Sequence, residues 1–227
     1  MNKDNNSPTT SRGGEKVVLG LNHKIIISRP EHQNNVALFL DRDGVLIEDM
    51  HYLKDPNQVI LIEGAIELLI EAKKRGLVTI IISNQSGVGR GYYNWNDYEA
   101  VTMKMLSLFG ESELISAMYA SGAQPETDIE IYRKWRKPEI GMIKEAEADL
   151  SIDLNKSFLI GDRITDIKAG WEAKLNTIYH VKTGKGRIEH DAVVNFKEGS
   201  SKEGYNPIIH TVDSVSNVVL TRERGNK

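Results

Sequence analysis

The chain has 227 residues, no cysteine, a formal net charge of −3 and 40% hydrophobic residues. That length suits one ample core or one domain with a small insertion, and the missing thiols exclude disulfides, thiolate metal sites and a cysteine nucleophile. Acids and bases are interspersed, no apolar run approaches membrane-spanning length, and the first 16 residues lack the apolar centre of a signal peptide; the expectation is a cytoplasmic protein that binds neither nucleic acid nor membrane.

In chain order, residues 1–15 are a polar Asn-, Ser- and Thr-rich tail expected to be disordered. Residues 16–35 read as an N-terminal extension. Val17–Leu19 and Ile25–Ile27 suit short strands about a turn at Gly20–Asn22, with no place in a main sheet assigned to them. Val36–Leu40 is short, apolar and bounded, the pattern of a buried parallel strand. Gly64–Arg75 is a helix with Ile66, Leu69 and Ile70 on one face, basic residues in its last turn and Gly76 as cap. Leu77–Ile82 is a second buried strand. Asn94 N-caps a helix that reaches Phe109 with Tyr98, Val101, Met105 and Leu108 as its stripe. Leu114–Tyr119 is a third strand, and Ser121–Arg136 a polar segment without period. A helix over Met142–Leu150, a strand over Phe158–Ile160, a helix over Asp166–Leu175 and a strand over Thr177–Val181 follow. The tail after Thr183 is polar until Ile208, and Val212–Leu220 is assigned to a closing helix. The alternation makes residues 36–227 a single α/β domain, a doubly wound, Rossmann-like parallel sheet with helices on both faces.

The strand ends carry the chemistry. Asp41-Arg42-Asp43-Gly44 follows the first buried strand directly. In open α/β sheets ligands bind at the carboxyl ends of strands, and two acids there cost stability unless a metal or hydrogen bonds compensate them. The competing explanation is a solvated acidic turn. An EF-hand is excluded, because its fifth and twelfth positions are Val45 and Tyr52 here. Ser83-Asn84-Gln85-Ser86-Gly87-Val88-Gly89-Arg90-Gly91 follows the second strand, and its hydroxyl, N–H groups and glycines suit an anion. It matches neither the dinucleotide fingerprint nor the Walker loop. Arg136-Lys137-Pro138 precedes the Met142 helix and offers Lys137 to phosphoryl charge. Gly161-Asp162-Arg163-Ile164-Thr165-Asp166 places acids after another buried strand. One such cluster is accounted for by a helix cap; two, with an anion loop and a lysine between them, are not.

These four motifs, in this order from Val36 to Gly184, resemble the haloacid dehalogenase superfamily of phosphatases. Within it the chain is similar to the group of heptose bisphosphate and histidinol phosphate phosphatases. The resemblance implies a phosphomonoester hydrolase for a small phosphorylated sugar, working with Mg²⁺ and with only a minimal cap loop; a monomer is expected. It implies Asp41 as nucleophile, Asp43 as general acid and base, Ser83 and the Asn84 N–H as phosphoryl ligands, and Lys137 as charge balance. It further implies Asp41, the Asp43 carbonyl and Asp162 as metal ligands, with Gly161 and Asp166 in support. Arg90, Arg136 and Tyr52 are candidates for substrate recognition; His51 is read as a surface histidine. The group commonly holds a structural zinc through Cys-x-His and Cys-x-Cys pairs. Here Ala120-Ser121-Gly122 and Arg133-Lys134-Trp135 stand in those places, so no structural zinc is expected. The alternatives are histidinol phosphate as substrate, and a non-catalytic sugar-phosphate-binding protein.

Overall fold

A computed structural model describes residues 15–28, 35–110, 114–200, 205 and 207–220. The expectation of disorder for the first residues falls on 1–14, outside that set, except for Glu15, which opens a strand. Eight strands form one sheet: β1 (Glu15–Leu19), β2 (Asn22–Ile26), β3 (Ala37–Leu40), β4 (Val78–Asn84), β5 (Ala117–Ser121), β6 (Phe158–Gly161), β7 (Thr177–Val181) and β8 (Ile208–Val212). Their spatial order is β1-β2-β5-β4-β3-β6-β7-β8. The six strands from β5 to β8 run parallel; β1 and β2 are a hairpin laid antiparallel along β5.

The helices are α1 (Ala65–Lys74), the single turn α2 (Ser86–Gly89), α3 (Trp95–Leu108), the short α4 (Glu130–Arg133), α5 (Gly141–Leu150), α6 (Ile164–Glu172) and α7 (Gly186–Gly199). Side chains alternate across the sheet, so each central strand feeds two cores. Leu38 and Leu40 of β3 meet Leu68, Leu69 and Ala72 of α1 and Val101 and Met105 of α3 in one core. Ala37 and Phe39 meet Met142, Ile143 and Ala146 of α5 and Ile167 and Trp171 of α6 in the other. This is the doubly wound α/β architecture expected from the alternation. The chain moves from β3 outward through β4 to β5, then crosses back to β6 on the far side of β3. The direction of winding therefore switches between β3 and β6, where ligands bind in open α/β sheets.

Three expectations are corrected. Residues 212–220 are not a helix: β8 ends at Val212, and a 3₁₀ turn at Val215–Asn217 follows, with Ser214 accepting from the turn and Asn217 returning the bond. The β-branched and alternating Ile208–Val212 fits an edge strand. The polar tail after Thr183 contains α7, whose only buried residues are Gly186 and Val193, so it carries too little apolar stripe to be seen. The N-terminal hairpin belongs to the sheet. Among the described residues no helix is long and apolar enough to cross a membrane.

Candidate active site

Asp41 follows β3, and its backbone N–H donates to Ile160 O of β6 at 3.0 Å, which pins the two strand ends together. Asp41 is 7% exposed, and its carboxylate accepts from the Arg42 N–H at 2.8 Å. Asp162, at the end of β6, is fully buried. Two glycines make room for it: a Cβ on Gly44 or on Gly184 would collide with Asp162 Oδ2, and both have positive φ, +86° and +52°. Asp162 Oδ2 accepts from the Lys185 N–H at 2.7 Å, while Oδ1 is buried with no partner. Gly161 is required by the same crowding, since its Cβ would strike the Asp166 side chain.

Lys137 enters from the loop before α5 and is 2% exposed. Its Nζ donates to Ile82 O at 2.7 Å and lies 3.1 Å from Asp41 Oδ1 and 2.7 Å from Asp166 Oδ1. Asn84 locks it there: its amide donates to Lys137 O at 2.9 Å and accepts from the Lys137 N–H at 3.0 Å. Asp166 also accepts from the Arg163 N–H at 3.0 Å, so one carboxylate caps α6 and faces the lysine. Burial opposes the Lys137 charge, but Asp166 and Asp41 outweigh it and hold the ammonium above its ordinary value. Burial pushes Asp41 up to about 6; Lys137 offsets only part of that, and Asp166 and Asp43 add to it. Burial, then Asp41 and Asp166, raise Asp162 well above a free carboxylate.

Asp41, Asp162 and Asp166 each offer an oxygen within 4.8 Å of the others. Asp41 and Asp166 share one lysine, and Asp162 Oδ1 is orphaned. That donor set fits a hard divalent cation, which takes carboxylate oxygens and needs no sulfur or imidazole. Asp43 stands apart from the triad, its carboxylate facing Arg42 and Gln85.

Above these groups opens a cavity of about 250 Å³ lined by Asp41, Asp43, Ser83, Asn84, Lys137 and Asp166 on its floor and by Tyr52, Arg136 and Arg163 on its wall. Ser83 is buried at the end of β4 and faces the cavity. Tyr52 and His51 line the mouth with left-handed backbones, φ 61° and 50°, and Tyr52 packs edge-on against Tyr92 at 4.8 Å. Gly87 is tight beneath them, because a Cβ there would run into Tyr93 and Tyr52. His51 is solvent-exposed, as expected, yet it lines the cavity.

Arg90 is the one candidate for substrate recognition that does not line this cavity; it lies 3.7 Å from Glu126. Arg136 does line it, half-buried, with Nη1 donating to Ala123 O at 2.9 Å. Burial, and then the neighbouring Arg163, hold Arg136 below its ordinary value. Arg163, paired with Asp49 at 3.3 Å, lies inside a motif quoted from the sequence but went unassigned there. Arg42, Gln85 and Tyr93 were likewise missed. Arg42 reads as the spacer of D-x-D, and only the fold shows which way it turns.

Residues 134–198 match the HAD-hydrolase-like family. The chain is 39% identical over 147 residues to the D-glycero-alpha-D-manno-heptose-1,7-bisphosphate 7-phosphatase of Burkholderia mallei, across 63% of this chain and 78% of that protein. It is 33% identical over 153 residues to the D-glycero-beta-D-manno-heptose-1,7-bisphosphate 7-phosphatase of Escherichia coli K12, across 66% and 80%. In fold, 80% of the chain matches 94% of a D,D-heptose 1,7-bisphosphate phosphatase from B. bronchiseptica crystallised with magnesium and phosphate, with a TM-score of 0.66 and 23% identity.

Proposed function

The chain belongs to the haloacid-dehalogenase-like phosphatases, and from that membership we propose that it removes the 7-phosphate of D-glycero-D-manno-heptose 1,7-bisphosphate with Mg²⁺. The observation that carries the reading is the placement of Asp41, Asp162, Asp166 and Lys137 at the topological switch point, beneath a cavity with two arginines on its wall.

Asp41 is the nucleophile. Its carboxylate forms a bond to phosphorus as the bond to the sugar oxygen breaks, and the departing electron pair is protonated by Asp43. Water then attacks the aspartyl-phosphate, Asp43 takes up its proton, and inorganic phosphate leaves with Asp41 restored. Ser83 Oγ and the Asn84 N–H bind equatorial oxygens, and Lys137 stays beside the charge through both steps. Asp41, Asp162 and the backbone carbonyl of Asp43 would hold the metal, with Asp166 close enough to bind one of its waters. When bound, Mg²⁺ supplies charge neutralisation between the anionic nucleophile and the anionic phosphoryl group.

The second phosphate of the substrate sets the specificity. Arg136 and Arg163 stand on the wall, and their mutual repulsion is relieved by an anion between them. Histidinol phosphate has no second anion to bring there. Tyr52, packed edge-on against Tyr92, faces the sugar from the cavity mouth. The test is phosphate release with both heptose bisphosphate anomers and with histidinol phosphate, in Mg²⁺ and in excess EDTA. The reading requires kcat/KM to be highest for a heptose bisphosphate and activity to vanish in EDTA; a higher value for histidinol phosphate overturns it.

A further inference from the structure

Asp43 is held by a buried hydrogen-bond network that the reaction described above leaves unused. Arg42 is 1% exposed, and each of its guanidinium nitrogens donates a hydrogen bond. Nε donates to Asp43 Oδ2 at 3.1 Å, and Nη2 donates to Asp43 Oδ1 at 3.1 Å and to Gln85 Oε1 at 3.2 Å. Nη1 donates to Thr102 Oγ1 at 3.3 Å, and Cζ lies 4.9 Å from the centre of the Tyr98 ring. A guanidinium is always charged, so once buried it needs acceptors, and both oxygens of the Asp43 carboxyl serve as such.

Gln85 is 3% exposed and closes the other side. Its Oε1 accepts from Tyr93 Oη at 2.5 Å as well as from Arg42. Two donors on the carbonyl end fix which way the amide faces. The NH₂ end is left to donate to Asp43 Oδ2 at 2.8 Å and to Ser83 Oγ at 2.7 Å. Asp43 Oδ2 therefore receives two donors and Oδ1 one, while the side chain keeps 23% exposure on the cavity side. The oxygen with a lone pair to spare is Oδ1.

We propose that Arg42 and Gln85 are positioning residues that aim Asp43 Oδ1 at the leaving oxygen, with Tyr93 setting the orientation of the Gln85 amide. The inference rests on the reading of Asp43 as general acid. In the first step the proton on Oδ1 passes to the sugar oxygen as the P–O bond breaks, and Arg42 faces the carboxylate that results. In the second step the same oxygen takes a proton from water. Gln85 also ties the acid to Ser83, so the proton donor and a phosphoryl ligand share one rigid mount.

Aim matters only when the leaving oxygen needs a proton. A sugar or alkyl phosphate does; p-nitrophenyl phosphate, with its stable phenolate, scarcely does. The experiment measures kcat/KM, which covers the steps through departure of the leaving group, for both substrate types. It uses wild type, Arg42→Lys, Gln85→Met, Tyr93→Phe and Asp43→Asn. A positioned acid contributes about 10²–10⁴-fold. Arg42→Lys and Gln85→Met are expected to lose roughly tenfold or more on the sugar phosphate than on the aryl phosphate, with a smaller split in the same direction for Tyr93→Phe. Gln85→Met and Tyr93→Phe remove no charge, so they decide the matter even if Arg42→Lys does not fold. Equal losses on both substrates in those variants, with Asp43→Asn still showing the split, overturn the positioning role alone. No split in Asp43→Asn overturns the assignment of Asp43 as acid on which the inference rests.

Discussion

Asp41 and Asp43 are two positions apart, and their surroundings differ. Asp41 is enclosed with two other acids and one lysine; Asp43 is paired to a buried arginine and looks into the cavity. Asp41→Asn should abolish turnover and leave no covalently phosphorylated protein detectable by mass spectrometry. Asp43→Asn should slow turnover severely, and it should also lower stability, because it strands the Arg42 charge. Breaking a buried pair costs about 3–5 kcal/mol, and the partial exposure of Asp43 puts this case toward the low end. A denaturant titration showing unchanged stability would contradict that. The arginines separate by position. Arg136→Ala and Arg163→Ala should each raise KM for a bisphosphate by roughly tenfold or more, in line with the loss of a charge-assisted contact, and should change KM for a small aryl phosphate far less. Arg90→Ala, outside the cavity, should do neither. The gathering of Asp41, Lys137, Asp162 and Asp166 was legible because each belongs to a motif at a strand or helix end. Arg163, Arg42 and Gln85 were printed in the same motifs, but their roles depend on side-chain direction, which spacing does not encode.

At the scale of elements, strands with continuous apolar runs were found within a few residues, as was α3, whose Asn94 cap forms a full capping box with Asp97. The failures are at the edges, where few side chains are buried: α7 shows almost no stripe, and β8 is too exposed to read as a strand. The N-terminal hairpin could not be placed because its partners lie about a hundred residues away, on β5. Its turn bears on the loop that leads to Arg136. The Gly122 N–H donates to Leu21 O at 2.7 Å, and Trp95 Nε1 donates to Gly20 O at 2.9 Å. Gly20 sits at φ +60° against the hydroxyl end of Tyr132. These contacts hold residues 121–135 by packing and hydrogen bonds. Gly20→Val, which is strained at that φ and collides with Tyr132, should cost roughly 1–3 kcal/mol. It should also raise KM for the bisphosphate through Arg136. A variant with lowered Tm and unchanged KM would show that the hairpin does not support the binding wall.

For the whole molecule, folding gathers three carboxylates at one point, and the protein is least content with them when they are ionised and without a cation. Asp41 is held at about 6, chiefly by burial, and Asp162 is raised by burial and then by its acidic neighbours. A raised carboxylate binds its proton more tightly folded than unfolded. Its contribution to stability is therefore complete below the unfolded value of roughly 4 and is lost as pH rises through about 6. A cation competes with those protons for the same oxygens. Mg²⁺ at about a hundred times its Kd should raise Tm by roughly 5–10 °C at about pH 7.5, and by clearly less at about pH 5. An equal gain at both values would place the cation elsewhere. The central claim is the hydrolysis of the 7-phosphate through Asp41. It is tested most directly by ³¹P NMR of heptose 1,7-bisphosphate incubated with Mg²⁺ and either the wild-type protein or Asp41→Asn. With the wild type, the 7-phosphate resonance should give way to inorganic phosphate while the 1-phosphate resonance persists, and with Asp41→Asn neither should change. Loss of the 1-phosphate, an unchanged wild-type spectrum, or turnover by Asp41→Asn would contradict the account.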